Sequence, residues 1–591
     1  MAARFSIRPA SAADAAACSR VCLATGRYGE DGAADFPTDP DALSRVYTTP
    51  YLRLRPHARF ALALADDATG EVVGYCLAAA DSRRFFEDYE REERPALAAA
   101  FPLDIHTHLG AGADPRSARE RSVHALYHAP DYSLPPGAGA ADFPAHLHID
   151  LLPRARRCGL GRALVELQLA QLARAGARGA FVNLAASNAG AERFYSALGF
   201  AHIGAGAGAG DDATIFMGRR LAPLPEPGPP PVAGATNVAS YAAGRGAALA
   251  CGPAALGDSW AAVTQPLPWN AARLRLGGAP PLSVHLVASS REDELEALAA
   301  AVPREATVVA GIGGGMAVDA AKFVAWRRGL RLCTIPTALT VDAFVTPPAG
   351  VRRGASVEYV GSATPAPLIV DFDLVRSAPR ALNVAGVGDL LSIQTACVDW
   401  ELTEARGGAD AYAGGAALPF SAADVAAARA VLADTLARAA EIAACSDEGL
   451  AALVEGYMRV NAICLPAGHA RVEEGSEHFL FYALEALLGR GFVHGHVIGL
   501  GVALMSRLQR RGAEAVVEAM RAMGLAFQPR DIGLSRATLK EALLSLRRFV
   551  AARRGALWFS VIDVEEISAE WVESAFDDLK LEFADSDEPP A

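Results

Sequence analysis

The chain has 591 residues, 52% of them apolar and 21% charged, with a formal net charge of −12. This composition supports several hydrophobic cores and excludes global disorder. The acidic balance disfavours broad binding to nucleic acid or to an anionic membrane. No uncharged apolar run approaches the roughly 18 residues of a transmembrane helix, and the N-terminus lacks the apolar core of a signal peptide. The nine scattered cysteines indicate reduced thiols inside a cell.

A proline-rich segment divides the chain. The stretch LAPLPEPGPPPVAGA can form neither a helix nor a central strand, and it predicts a linker over 222–235. Strands and helices are mixed in the domain predicted over 1–221. Short β-branched runs alternate with helices over 236–376, which predicts a parallel α/β sheet. Alanine- and leucine-rich segments with helical period predict a helical domain over 377–591.

The first domain contains a glycine pair between a predicted strand and a predicted amphipathic helix. The stretch HLHIDLLPRARRCGLGRALVELQLAQ places Arg156, Gly159 and Gly161 in this turn. Glycines before a helix let backbone N–H groups approach a pyrophosphate, whose charge the helix dipole favours. An ordinary strand–helix turn explains the pair equally well. Further along, FVNLAASNAGAERFYSALGF places Asn188 before a short helix that carries Tyr195.

Together these stretches resemble the GNAT acetyltransferase family, whose core contains an R-x-x-G-x-G turn and an N-x-x-A-x-x-F-Y helix. The resemblance spans roughly residues 4–219, and the upstream text resembles the acetyltransferase-like domain attached to O-GlcNAc hydrolases. It implies that the turn from Arg156, with Gly159 and Gly161, binds the pyrophosphate of acetyl-CoA. It implies that Asn188 contacts the cofactor or fixes splayed strands. Tyr195 would protonate the leaving thiolate, with a purely structural core aromatic as the alternative.

A second glycine-rich turn opens the α/β region of the other half. The stretch ATVVAGIGGGMAVDAAKFVAW places Gly313, Gly314 and Gly315 between a predicted strand and a predicted helix. Backbone amides at such a helix start suit a pyrophosphate. The spacing is not the G-x-G-x-x-G of the standard Rossmann fingerprint. Lys322 follows in the helix and is one of only three lysines among 55 basic residues, which indicates a role that arginine cannot fill.

Three further stretches carry acidic and imidazole side chains. TIPTALTVDAFVTP contains Asp342, and NVAGVGDLL contains Asp389 at a predicted helix start. GSEHFLFYALEALLGRGFVHGHVIGLG contains His478 and His494. Each residue by itself has a structural explanation, because an aspartate often caps a turn or helix and a buried histidine is often satisfied by hydrogen bonds.

In this order the four motifs resemble the superfamily of iron-type alcohol dehydrogenases and dehydroquinate synthases, over roughly Thr236 to Ala584. The glycine triplet with Asp319 and Lys322 matches its G-G-G-x-x-x-D-x-x-K motif, which implies dinucleotide binding together with Thr337. The resemblance implies that Asp342 binds substrate or relays its proton.

The same resemblance implies that Asp389, His478 and His494 hold a metal ion. One carboxylate and two imidazoles suit Zn²⁺ or Fe²⁺ with open positions for substrate. His496 would be a fourth ligand, or would contact a ligand or the substrate. Glycerol-1-phosphate dehydrogenases usually carry a lysine where this chain has Ile393, which puts a phosphorylated substrate in doubt.

His469 and Arg471 precede the first ligand histidine in the sequence. They are expected either to bind a substrate phosphate or to form a surface pair.

The sequence therefore predicts a GNAT mixed α/β fold, followed by a dehydroquinate synthase-like fold with a parallel α/β dinucleotide-binding domain and an all-helical metal-binding domain. We expect a bifunctional enzyme. One part would be a metal- and NAD(P)-dependent dehydrogenase for a polyol or polyol phosphate, and the other an acetyl-CoA-dependent N-acyltransferase. The choice between NAD and NADP stays open.

The alternative is a dehydroquinate synthase-like cyclase that uses NAD, joined to a non-catalytic GNAT-like binding module. In either case we expect small-molecule substrates, no nucleic-acid or membrane partner, a cytoplasmic location and a possible homodimer.

Overall fold

A computed structural model describes residues 5–102, 115–132, 134–137, 139–206, 213–273, 275–277, 279–354, 356–406, 410–411, 417–554 and 556–588. Contacts divide the chain into two compact units, Met1–Leu224 and Pro225–Ala591. Each unit is described by itself.

The first unit is built on one sheet. Its strands are β1 (Phe5–Pro9), β2 (Ala61–Asp66), β3 (Val72–Ala79), β4 (Ala145–Leu151), β5 (Gly179–Ala185), β6 (Ala201–Ala205) and β7 (Thr214–Arg220). They are arranged in the order β1-β2-β3-β4-β5-β7-β6. All neighbouring strands are antiparallel except β4 and β5, which are parallel. Strands β2 and β3 are buried along their whole length because hydrophobic clusters cover both faces of the sheet.

The parallel pair in this sheet diverges. Strands β4 and β5 pair only at Ala145 with Ala180 and at His146 with Phe181, although each strand has seven residues. The carboxyl ends of the two strands therefore separate, and the chain leaves β4 into the turn that precedes α9. The helices of this unit are α1 (Ala15–Ala24), α2 (Ala42–Tyr47), α3 (Thr49–Arg53), α4 (Arg55–Ala58), α5 (Ser82–Glu92), α6 (Arg94–Ala100), α7 (Ala118–Leu126), α8 (Gly139–Asp142), α9 (Leu160–Arg174) and α10 (Ala189–Ser196).

The second unit begins with a parallel α/β domain. Its strands are β8 (Tyr241–Gly244), β9 (Trp260–Thr264), β10 (Ser283–Leu286), β11 (Val308–Gly313), β12 (Arg331–Pro336), β13 (Ala349–Arg353), β14 (Ser356–Val360) and β15 (Pro365–Asp371). Six of them form a wholly parallel sheet in the order β10-β9-β11-β12-β15-β8, and β13 and β14 form a separate hairpin. The helices of this domain are α11 (Ala247–Leu256), α12 (Pro266–Ala272), α13 (Glu292–Ala301) and α14 (Gly315–Arg328).

The remainder of this unit is helical apart from the two-residue strands β16 (Asp410–Ala411) and β17 (Ala417–Leu418) within the described residues. Its helices are α15 (Phe372–Val375), α16 (Arg380–Ala385), α17 (Val387–Leu391), α18 (Ile393–Ala405), α19 (Ala422–Ala437), α20 (Ala439–Ala444), α21 (Asp447–Ala467), α22 (Ser476–Leu488), α23 (His494–Gln509), α24 (Ala513–Met523), α25 (Pro529–Ile532), α26 (Arg536–Ala551), α27 (Val561–Val564) and α28 (Ala569–Asp578). The predicted fold class, a mixed α/β unit followed by a parallel sheet and a helical domain, is confirmed.

One helical stretch of the second unit has the length and composition of a membrane-spanning segment. Among the described residues, Arg380–Ala405 is the one stretch long and apolar enough to cross a membrane. In the structure, 83% of the most apolar part of this stretch is buried inside the protein. It is the central core element of the helical domain, where α17 and α18 pack against α22 and α23.

Candidate active site

Three side chains from three helices meet in the second unit. Asp389 in α17, His478 in α22 and His494 in α23 each offer one ligand atom, and these atoms all lie within 4.8 Å of one another. A first-row metal bonded at about 2.1 Å needs ligand atoms roughly 3–4 Å apart, so a small contraction would complete the site. Asp389 is buried, and its Oδ1 has no hydrogen-bond partner among the described residues, although it lies 3.2 Å from His494 Nε2. The residues present therefore fit a divalent metal.

Close backbone contact brings two of these helices together. Gly388 precedes Asp389, and Gly495 follows His494. A Cβ atom at Gly388 would lie 2.3 Å from the carbonyl oxygen of Gly495, and one at Gly495 would lie 1.7 Å from that of Ala385. Only glycine permits this approach, which explains why Asp389 and His494 each have a glycine beside them.

Glu477 fixes the orientation of His478. Its Oε1 lies 2.8 Å from His478 Nδ1, so Nδ1 donates this hydrogen bond and Nε2 is left as the ligand atom. Glu477 is itself fully buried and accepts hydrogen bonds from Thr395 Oγ1 and the Gly475 amide. Burial lowers the pKa of His478, but the hydrogen bond and charge of Glu477, together with the charges of Glu474 and Asp389, outweigh burial and raise this pKa to about 9. The sequence analysis did not single out Glu477; a carboxylate directly before a ligand histidine was the available signal.

Asp342 lies beside the metal cluster. Its backbone N–H donates to Asp389 Oδ2 at 3.0 Å, and its side chain lines the same cavity. Burial and the neighbouring Asp389 carboxylate raise the pKa of Asp342 to about 7. Burial, Asp342 and Asp389 likewise raise the pKa of Glu473. A bound cation would relieve this repulsion between carboxylates.

The cavity continues from the metal cluster to the predicted dinucleotide turn, and its volume is about 1020 Å³. Gly314 precedes the first turn of α14, and Gly314, Gly315 and Thr337 line the cavity. Gly313 ends β11 with φ +156° and lies behind them, where a Cβ would be 2.7 Å from Ala317 Cβ. The α14 N-terminus thus opens into the same space as the metal cluster.

The resemblance assigns both Asp319 and Lys322 to dinucleotide binding, but the two side chains lie in different places. Asp319 lines the cavity, whereas Lys322 is buried behind it with its Nζ 2.7 Å from Asp319 Oδ1. Lys322 Nζ also donates to the carbonyl oxygens of Ala343 and Pro348, at 2.8 and 2.5 Å. Lys322 therefore holds the segment that follows Asp342, and it does not reach into the cavity. A compact ammonium with three donors suits this place better than a planar guanidinium.

Of four other residues near the motifs, three lie outside the described lining of the cavity. His496 lies outside the ligand cluster, with its Nε2 3.2 Å from the carbonyl oxygen of Ala381. Arg471 is fully buried and donates to Phe559 O at 2.7 Å, so the expectation that it binds a substrate phosphate or forms a surface pair is wrong. His469 lines the cavity. Ile393 is fully buried in the helical core.

In the first unit, the predicted pyrophosphate turn stands at the start of α9. Gly159 is the residue before the helix and has φ +80°, a conformation that favours glycine. Nothing lies within 4 Å of a Cβ built there, so the turn is open. Gly161 packs its backbone against Leu151 and Phe194. Arg156 donates to the carbonyl oxygens of Leu151 and Gly29, so its guanidinium secures the turn from outside.

Asn188 and Tyr195 occupy the next helix. Asn188 caps α10, where its Oδ1 accepts from the Ala191 amide at 3.0 Å. Tyr195 is 7% exposed and packs between Phe194 and Phe200. Burial raises the pKa of its hydroxyl. The structure thus gives both residues a local structural role beside the one that the resemblance implies.

Each of the two units matches a different family of known proteins. Residues 274–379 match the family model of the iron-containing alcohol dehydrogenases, and residues 122–200 match that of the acetyltransferase (GNAT) family. A glycerol-1-phosphate dehydrogenase (NAD(P)+) of Hyperthermus butylicus is 32% identical over 41% of this chain and 67% of the relative. The enzyme of the same name from Cenarchaeum symbiosum is 30% identical over 44% of this chain and 72% of the relative.

Two solved structures are also similar. A probable glycerol dehydrogenase from Sinorhizobium meliloti is 24% identical, covers 57% of this chain and 95% of its own, and has a TM-score of 0.44. A structure titled SsHAT is 33% identical, covers 37% of this chain and 99% of its own, and has a TM-score of 0.32.

The site and the family matches define a metal-containing, NAD(P)-dependent alcohol dehydrogenase joined to an acetyltransferase-type domain. Through its second unit the chain belongs to the glycerol-1-phosphate dehydrogenase family, and its first unit is a GNAT domain. The predicted family assignment of both halves is confirmed.

Proposed function

We propose that the second unit interconverts an alcohol and a carbonyl compound, of the polyol or polyol phosphate class, with NAD(P). The observation that carries this proposal is the cluster of Asp389, His478 and His494, which lines the same cavity as the glycine turn at Gly314. Names of relatives support the substrate class, because those relatives are glycerol-1-phosphate dehydrogenases.

The residues of the chain have distinct roles in this proposal. When bound, Zn²⁺ or Fe²⁺ supplies a Lewis acid for the substrate oxygen, and the dinucleotide supplies the hydride carrier. The amides of Gly314 and Gly315 bind the pyrophosphate. Glu477 keeps His478 in the tautomer that presents Nε2. Asp342 takes the proton that the substrate hydroxyl loses on oxidation and returns it on reduction.

Metal removal tests the dehydrogenase. We expect dialysis against a chelator to abolish NAD(P)H formation from glycerol and glycerol-1-phosphate, and added Zn²⁺ or Fe²⁺ to restore it. NAD(P)H is followed by absorbance, and metal content is followed by elemental analysis. Activity that persists in metal-free protein would refute the proposed site. Stoichiometric accumulation of NAD(P)H with product also excludes a cyclase that recycles NAD internally as the sole activity.

We further propose that the first unit binds acetyl-CoA and transfers its acetyl group to an amine. Support comes from the diverging ends of β4 and β5 and from the open turn at Gly159 before the fifteen-residue helix α9. Backbone amides at this helix start can receive the pyrophosphate. A binding module without catalysis stays the alternative, because Tyr195 is buried among aromatic rings.

A charge placed in the turn tests cofactor binding. Gly159→Asp should weaken acetyl-CoA binding by at least about 100-fold, because a carboxylate would face the pyrophosphate at close range. The measurement is isothermal titration calorimetry with acetyl-CoA. Gly176→Asp is the matched control, since Gly176 follows the other end of α9, has φ +88° and likewise has nothing within 4 Å of a built Cβ. Equal acetyl-CoA affinities of the two variants would contradict the proposal.

A further inference from the structure

The cavity of the second unit has an unusual charge for a family named after a phosphorylated substrate. Five carboxylates line it: Asp319, Asp342, Asp389, Glu473 and Glu474. Among the residues that the structure describes, no arginine or lysine lines it. The space is built for a ligand, because Asp389 is 6% exposed and leaves its Oδ1 without a hydrogen-bond partner in the described part of the chain.

Two of the five carboxylates are already accounted for, one by an ion pair with a lysine and one by the metal cluster. Lys322 Nζ lies 2.7 Å from Asp319 Oδ1, and Asp389 belongs to the ligand cluster. Asp342, Glu473 and Glu474 remain. A phosphate monoester carries a charge of about −1.5 to −2 near neutral pH. It would enter beside three carboxylates without an arginine or lysine to receive it, which like-charge repulsion disfavours.

The turn that carries the two glutamates is held rigidly from behind. Ser392 Oγ donates to the carbonyl oxygen of Glu473 at 2.6 Å, and Trp558 Nε1 donates to that of Glu474 at 2.7 Å. The buried Arg471 lies in the same turn and is anchored in the helical core. The backbone is thereby fixed, and the two carboxylates face the cavity.

Each glutamate uses one carboxylate oxygen within the protein. Cys464 Sγ donates to Glu473 Oε1 at 3.5 Å, and Tyr482 Oη donates to Glu474 Oε1 at 2.7 Å. These two hydrogen bonds use Oε1 of each glutamate and do not involve Oε2. Two preorganised carboxyl groups suit an ammonium group, which offers three donors and whose positive charge favours the ionised form of both. The ring of Tyr482, with its centroid 6.3 Å from that of His478, connects this place with the metal cluster.

We propose that the dehydrogenase unit acts on an alcohol that carries an ammonium group, an amino alcohol or aminopolyol, and that Glu473 and Glu474 bind that group. The inference rests on the proposed dehydrogenase function and specifies its substrate. The chemistry of the first unit is consistent with it, because an N-acyltransferase requires an amine. A chain that joins both activities suits a substrate with a hydroxyl and an amino group.

Three substrates of equal carbon skeleton test the proposal on the wild-type protein. The rate of NAD(P)+ reduction is compared for 3-amino-1,2-propanediol, glycerol and glycerol-1-phosphate with the metal-loaded full chain. We expect kcat/KM for the amino diol to exceed that for glycerol by at least about tenfold, and that for the phosphate by more, because charge-assisted hydrogen bonds are stronger than neutral ones. Equal values for the amino diol and glycerol, or preference for the phosphate, would overturn the inference and leave the proposed function standing. Oxidation of none of the three would overturn both.

Glu474→Gln separates recognition of the ammonium group from general damage. The variant keeps the shape of the side chain and the acceptor for Tyr482 but loses the charge. The ratio of kcat/KM for amino diol over glycerol should fall by about tenfold, mainly through KM for the amino diol, since a charge-assisted hydrogen bond is lost. Glu518→Gln, on the exposed face of α24 and outside the cavity lining, is the matched control and should keep the wild-type ratio. An unchanged ratio in Glu474→Gln would overturn the assignment of Glu474.

Discussion

Replacement of His494 by alanine should empty the metal site and abolish dehydrogenase activity. Among the residues that the structure describes, the cluster consists of three side chains that offer a ligand atom, so loss of one imidazole leaves one carboxylate and one histidine. Loss of a residue that merely orients a ligand already costs about 10–100-fold in metal affinity, so loss of a ligand atom should exceed about 100-fold. Elemental analysis after gel filtration measures retained metal, and NAD(P)H absorbance measures activity.

His496→Ala is the control for this experiment. Both histidines lie in the first turn of α23, but His496 points to the carbonyl oxygen of Ala381 and lies outside the cluster. This variant should keep a full metal complement while losing stability by about 1–3 kcal/mol, because a buried hydrogen bond is removed and a cavity is left. A full metal complement in His494→Ala, or loss of metal only in His496→Ala, would show that the ligand set is different.

The order of elements in the α/β domain was predictable from local sequence. The runs SVHLVAS, ATVVAG, LCTIP and APLIVD predict strands, and the structure has β10, β11, β12 and β15 at these places. Strands in a parallel sheet are buried on both faces and therefore appear as short, continuous apolar runs. Strands β8 and β9 were not singled out, because YAAG and WAAVT are short and rich in alanine, which gives little distinction from a helix.

The direction of individual side chains could not be predicted in the same way. Arg471 and Glu473 stand two positions apart, yet the guanidinium is buried in the helical core and the carboxylate lines the cavity. Lys322 was recognised as unusual from composition alone, but its contacts lie 21–26 residues along the chain, with the segment after Asp342. Such roles depend on contacts between distant parts of the chain, and a sequence motif does not contain them.

The charge of the cavity is likewise a property of the assembled site. Asp319, Asp342, Asp389, Glu473 and Glu474 come from segments spread over more than 150 residues of the chain, and only the fold shows that they share one space. The sequence offered one related signal, Ile393, whose buried position in the helical core now shows that the residue supplies packing and no charge. The absence of a cationic side chain from the described lining follows only from the full set of residues around the cavity.

Gly495→Ala should destabilise the protein and disrupt the metal site together. The added Cβ would lie 1.7 Å from the carbonyl oxygen of Ala385, and a backbone atom cannot rotate away. Helix propensity favours alanine over glycine by about 1 kcal/mol, whereas overpacking a rigid core costs about 1–3 kcal/mol and occasionally more. We expect the clash to outweigh the gain in helix propensity. The free energy of unfolding, measured by chemical denaturation, should fall by at least about 2 kcal/mol.

The same clash has a geometric consequence for the metal. Relief requires α23 to move away from α16 and α17, which separates His494 from Asp389, so metal affinity should fall even though every ligand is present. Gly491→Ala is the matched control, because its Cβ would meet only side-chain atoms at 3.7 Å or more. It should stay within about 0.5 kcal/mol of wild type. Unchanged metal binding in Gly495→Ala would show that the helix contact does not set the distance between the ligands. Loss of metal binding would show that a glycine without any metal-binding atom is as necessary to the site as the histidine beside it.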